Sequence, residues 1–144
     1  MKKFFKIASV ILAFAVLASC FAMVASATNY NIGTVQDAVN YDSGKRYFDA
    51  NPANKIQVVC WLECPAQSPQ SAIATFNVWL CTTFGATKMP SGDRSFGMYQ
   101  TVGPTWTLCH ANYYSFSASM SNNYLPSGIR APVALFYTTF KNVS

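Results

Sequence analysis

Five cysteines, one histidine and five carboxylates make up the reactive inventory of this chain, apart from hydroxyls and amines. Cys20 lies in the apolar N-terminal stretch, which leaves Cys60, Cys64, Cys81 and Cys109 further along. Nucleophilic catalysis by a Cys-His pair needs the two side chains to face each other. His110 directly follows Cys109, and neighbours in a strand point to opposite faces. Glycoside hydrolysis needs two carboxylates flanking one cleft. Asp42 and Asp93 read as turn residues, Asp37 stands apart, and only Glu63 and Asp49 remain for such a pair. The chain has no Gly-x-Ser-x-Gly, no phosphate-cradling glycine loop and no histidine-rich metal spacing. An enzyme is therefore not expected, with a glycan-active hydrolase as the alternative; neither a metal nor a cofactor is called for.

The aromatics give a positive lead. Trp61 shares a strand face with Gln57, Val59 and Glu63, and Trp79 shares one with Thr75, Asn77 and Thr83. If the two strands pair as a hairpin with Trp61 opposite Thr75, both indoles stand on one face, about 13 Å apart along the strand. Exposed aromatics beside Asn, Gln and Glu suit a sugar chain or a protein partner. Two indoles in the core is the competing reading.

A turn pattern recurs around Gly44, Gly92 and Gly128: apolar, Asp or Pro, Ser, Gly, any residue, Arg. Asp or Pro suits the first corner of a type I turn, Ser the second, and Gly the left-handed bulge position that completes a tight hairpin. Arg46, Arg94 and Arg130 are the only arginines, and each closes one of these turns. Either hairpin chemistry has converged three times, or the arginines form an anion-binding set on an internal repeat. The flanking sequences match poorly.

The elements that must position these residues read as strands. Residues 55–64 form one ended by Pro65, residues 65–71 a loop, and residues 72–83 the next strand. Across 106–120, Leu108, Tyr114, Phe116, Ala118 and Met120 fall on one face, with Tyr113 and Ser115, Ser117 and Ser119 on the other. That period of two marks a half-buried strand. Residues 133–140 are apolar on both faces, as in a strand covered on both sides, and residues 34–40 allow a short helix. The fold expected is all-β: an antiparallel β-sandwich or small barrel of six to eight strands, with a β-trefoil-like arrangement as the alternative.

The N-terminus sets the compartment. Lys2, Lys3 and Lys6 precede an uncharged apolar stretch over residues 7–19, and Ala25-Ser26-Ala27 supplies a small-x-small cleavage pattern. This is the layout of an export signal, so residues 1–27 are expected to be removed and 28–144 to form a single secreted β domain without a membrane span. Leu17-Ala18-Ser19-Cys20 resembles the lipobox of bacterial lipoproteins, and anchoring at Cys20 is the alternative. Against it, Cys20 is followed by Phe21, Ala22, Met23 and Val24 rather than a polar tether. In an oxidising compartment Cys60, Cys64, Cys81 and Cys109 are expected to form two disulfides, in any of the 3 pairings that four cysteines allow. An extended 60–64 segment holds its ends about 13 Å apart, too far for a direct bond.

Losing three of the ten basic residues with the signal leaves seven against five acidic ones, a net charge of +2. They are scattered singly, so nucleic acid is not an expected partner. The reading that remains is a secreted, non-catalytic binding module acting at a cell envelope, glycan or host surface. The alternative is a small secreted antagonist of the bacteriocin or toxin kind, which length, export and cationic balance fit equally. The cleavage pattern predicts that exported protein begins at Thr28 on N-terminal sequencing. A lipid-blocked Cys20 would contradict it.

Overall fold

The computed structural model describes residues 28–49, 54–64, 72–90, 92–108 and 110–144. The expected signal of residues 1–27 with Cys20, the expected loop at 65–71, and Cys109 lie outside the described residues. The first five strands are β1 (Asn29–Val35), β2 (Asn40–Asp42), β3 (Arg46–Phe48), β4 (Lys55–Glu63) and β5 (Ile73–Thr82). The others are β6 (Gly85–Lys88), β7 (Arg94–Gly97), β8 (Gln100–Val102), β9 (Thr105–Thr107), β10 (Asn112–Ser121) and β11 (Ala134–Val143).

These strands form two antiparallel sheets. The first runs β1-β11-β4, with β8 and β9 both paired to β4. In the second, β10 and β5 are central, β2 and β3 share the edge beside β10, and β6 and β7 share the edge beside β5. Each such pair is one edge strand with an interruption. Pro104 lies between β8 and β9, and its carbonyl accepts from Val58 N. A proline has no N–H for a ladder and is tolerated at an edge.

Counted that way, the described chain has eight strands, four to a sheet. It changes sheet at every connection except β5 to β6 and the interruptions within edges. This is the strand order of a double-sheet jelly roll, and the arrangement is sandwich-like.

The core follows from alternation. Ile56, Val58, Cys60 and Leu62 of β4 are buried, as are Ala74, Phe76 and Val78 of β5 and Tyr114, Phe116, Ala118 and Met120 of β10. Phe140 of β11 crosses from the first sheet into the second. It makes edge contacts with Phe48 at 4.7 Å and with Phe116 at 5.2 Å between ring centroids. Tyr30 of β1 closes one side, its ring 5.2 Å from that of Phe48 and its hydroxyl donating to the Tyr47 carbonyl.

Several expectations need correcting. The 106–120 segment is two strands in different sheets, β9 and β10, although its alternation over 112–121 holds. No helix forms over 34–40, where β1 ends, β2 begins, and Asp37 takes φ +51° between them. Strand β11 is not covered on both faces, since Tyr137 is 81% exposed.

Among the described residues no disulfide is present. Cys60 and Cys81 are buried thiols with no disulfide partner, so the two expected bridges are not seen, and Cys109, a partner in every possible pairing set, lies outside the described residues. Cys60 points inward from the first sheet, Cys81 sits on the outer face of the second, and Cys64 lies four residues beyond Cys60 on extended chain. Burial pushes the Cys60 thiol up to about 12.

The three glycine turns share one local conformation but not one role. Gly44, Gly92 and Gly128 have φ of +68°, +72° and +77°. Only the third is a hairpin turn: Gly128 N donates to the Leu125 carbonyl and Leu125 N to that of Ile129. At Gly44, residues 43–45 face 115–116 of β10, a one-residue bulge within an edge strand. Ser43 fills it, giving its N–H to the Phe116 carbonyl and accepting from Phe116 N with Oγ. At Gly92, whose N–H donates to the Met89 carbonyl, the edge strand is interrupted between Lys88 of β6 and Arg94 of β7. Three unrelated settings leave no repeat, and the trefoil-like alternative loses its motive.

A Cβ added at Gly44, Gly92 or Gly128 would meet nothing within 4 Å, so replacement costs backbone strain alone. Alanine at each should lower stability by about 1 kcal/mol in urea denaturation. Gly97 is the control, because its φ lies outside the left-handed region and an added Cβ would make only an ordinary contact with Gln100 Nε2 at 3.7 Å. A larger loss at Gly97 than at the other three would contradict the assignment.

Candidate functional site

The two indoles face opposite ways. Strands β4 and β5 belong to different sheets, so the hairpin that would set Trp61 and Trp79 side by side does not exist. Nor do they fill the core; that place belongs to Trp106, 1% exposed, whose indole N–H donates to the Gly92 carbonyl. Trp79 lies half-buried on the outer face of the second sheet and donates to Ser117 Oγ.

The arginines do not gather either. Arg46 and Arg94 are on opposite edges of the second sheet. Arg46 lies over the Tyr30 ring at 5.6 Å, and Arg130 pairs with Asp37 in the loop region at 2.5 Å. Glu63 and Asp49 are at opposite ends of the molecule, one at the end of β4 and the other beyond β3. His110 precedes β10, exposed, with Nε2 3.4 Å from Asn112 Nδ2. No group of three metal-ligating side chains occurs among the described residues.

Trp61, by contrast, sits in an aromatic neighbourhood on the outer face of the first sheet. Its cross-strand partner on β11 is Phe136, and on β8 it is Thr101. Its indole N–H donates to Glu63 Oε2 at 3.0 Å, which fixes the ring against one carboxylate oxygen. Tyr137 follows Phe136, with ring centroids 6.4 Å apart. Tyr99 stands at the entry to β8 and is clamped to β4 twice, by its N–H to the Leu62 carbonyl and its hydroxyl to the Cys64 carbonyl at 2.5 Å.

Both tyrosines are held in a backbone conformation that bulky residues avoid: Tyr99 at φ +58° and Tyr137 at φ +53°. The cause at Tyr137 is a bulge, with Tyr137 and Thr138 together opposing Cys60 between the Phe136–Trp61 and Thr139–Val59 pairs. Left-handed bulge positions normally take glycine. A second cost falls on Thr138, which is fully buried with no hydrogen-bond partner for Oγ1 among the described residues. Such strain persists where surrounding structure enforces it, and it concentrates at binding and catalytic surfaces. Here it leaves Tyr137 81% and Tyr99 48% exposed.

The chemistry of this face is recognition. Around Trp61 it offers aromatic ring faces, one carboxylate and neutral hydrogen-bonding groups, and further along, beside Gln57, it carries Lys55 and Lys141. Gln57 donates through Nε2 to the Gly103 carbonyl, which leaves its amide oxygen turned to accept. Partial burial, then Cys64 and Glu63, raise the Tyr99 phenol above its ordinary pKa, so it remains a donor through neutral pH. Among the described residues no helix is long and apolar enough to cross a membrane.

Sequence reasoning singled out Trp61, leaving open whether it was exposed or in the core, and missed Phe136, Tyr137 and Tyr99. Nothing in the linear pattern announces the bulge that turns Tyr137 outward or the sheet change that delivers Tyr99. No protein-family model matches the chain, and no curated protein sequence matches it.

If Tyr137 is strained, Tyr137→Asn should raise stability by roughly 0.5–1 kcal/mol, because asparagine tolerates the left-handed region and the lost ring is largely solvated. Thermal and urea denaturation both report it. A destabilisation of similar size would show that the tyrosine is retained for packing.

Proposed function

We propose that the chain is an exported, non-catalytic binding module that takes a glycan chain on the outer face of its first sheet. The observation that carries this reading is a strained, exposed tyrosine on each flank of β4: Tyr137 next to Phe136, the partner of Trp61 on β11, and Tyr99 at the entry to β8, which pairs with Trp61 through Thr101. Sugar rings present C–H faces that stack on aromatic rings and hydroxyls that need acceptors and donors. Trp61 and Phe136 stand side by side on adjacent strands, about 4.8 Å apart. Glu63, already oriented by the indole, keeps one carboxylate oxygen for a sugar hydroxyl. A jelly-roll strand order is shared by domains of many functions and chooses none of them; it is this surface that supports a ligand. Export rests on the N-terminal signal pattern.

Tryptophan fluorescence titrated with cello-, chito- and manno-oligosaccharides tests the proposal. At least one series should bind, and Trp61→Ala should weaken it by about tenfold or more, as expected for an aromatic anchor. Tyr137→Ala should weaken it too, without the folding risk of a half-buried substitution, whereas Trp79→Phe should not. Unchanged affinity in both Trp61→Ala and Tyr137→Ala would overturn the assignment of this face.

A further inference from the structure

The opposite sheet carries a cleft that the aromatic face does not use. It has a volume of about 500 Å³ and is lined by Lys45, Cys81, Thr82, Thr83, Asn112 and Tyr113. Three features build it. The bulge at residues 43–45 brings Lys45 to its wall. The tight β5–β6 connection supplies Thr82 and Thr83. Strand β10 begins there, with Tyr113 paired to Cys81 across the ladder.

Some of these groups serve the fold. Thr82 Oγ1 donates to the Gly85 carbonyl and accepts from Phe84 N, and Asn112 Oδ1 accepts from Tyr113 N. Others are unspent. Among the described residues no carboxylate pairs with Lys45, and the hydroxyls of Thr83 and Tyr113 make no hydrogen bond. Tyr113 is 51% exposed and braced by an edge contact from Tyr47 at 5.4 Å. Cys81, 6% exposed, lies beneath with Sγ 3.6 Å from Ser115 Oγ.

A free ammonium, a braced aromatic ring and spare hydroxyls around one cleft match a sugar ring that bears a carboxylate. We infer that this cleft is a second binding site, for an acidic sugar of the uronic-acid class. Lys45 takes the carboxylate, Tyr113 the ring face, and Thr83 a ring hydroxyl. The site lies on the outer face of the other sheet, so it stands or falls independently of the Trp61 surface.

Calorimetry with trigalacturonate on the mature protein tests this, with cellotriose and triglutamate as comparison probes. Trigalacturonate should bind, and added salt should weaken it, since an exposed ion pair is screened. Lys45→Gln and Tyr113→Ala should each weaken binding by about tenfold, the worth of one charge-assisted hydrogen bond or one stacked ring. Both are exposed, so folding should survive, and Trp61→Ala should bind trigalacturonate normally. Four results would overturn the inference: no heat with trigalacturonate, affinity unchanged in both cleft variants, equal affinity for triglutamate, or loss in Trp61→Ala, which would place the ligand on the first sheet.

Discussion

Phe140 holds the two sheets together. Its ring leaves β11 in the first sheet and lies edge-on against Phe48 and Phe116 in the second, and all three are fully buried. Edge-to-face pairs of this kind are worth about 0.5–1.5 kcal/mol each beyond the area they bury. More than energy depends on them. Phe140 fixes which face of β11 looks inward, and a one-residue slip would turn every side chain of the strand to the other face. The bulge at Tyr137 lies only a few residues back along the same strand. With Phe140 anchored inward and Leu135 buried on the near side, the extra residue between them has nowhere to go but out. The aromatic face is thus a consequence of the core.

The same logic explains the edges of the second sheet. Strands β10 and β5 are long and regular, while their outer neighbours are broken by the Gly44 bulge and the interruption at Gly92. Bulged, interrupted edges resist pairing with other chains. Each break also carries side chains with it: Lys45 on one edge, and on the other Asp93, which pairs with Lys88. Irregularity therefore does two things here, protecting the sheet and placing polar groups where a regular strand would not.

How much of this could be read from the chain depended on range. The alternation is local, and it marked strands near 55–63 and, within 106–120, the inner face of 112–121. Whether Trp61 faced outward or filled the core was not legible, because its strand face is half polar and the choice depends on which sheet covers it. Partnership was not legible, because β4 pairs with β11 rather than with the next strand β5, and period-two patterns carry no partner label. The glycine turns show the limit well: one motif yields the same left-handed glycine three times, yet tertiary pairing makes one a hairpin turn, one an edge bulge and one an interruption of an edge. The cysteine count carries no geometry either. An even number suggests bridges in an oxidising compartment, but among the described residues Cys60 faces a packed core and Cys81 the outer side of the opposite sheet, where the two cannot meet.

The central claim is that the bulged aromatic face around Trp61 is the surface that meets the ligand. Amide chemical-shift mapping of isotope-labelled protein, with and without the oligosaccharide that binds, tests it most directly. The account predicts that the largest shifts fall on Trp61, Glu63, Tyr99, Thr101, Phe136 and Tyr137, which come together from three strands of one sheet face. Shifts confined to the second sheet, with these six residues unmoved, would contradict it.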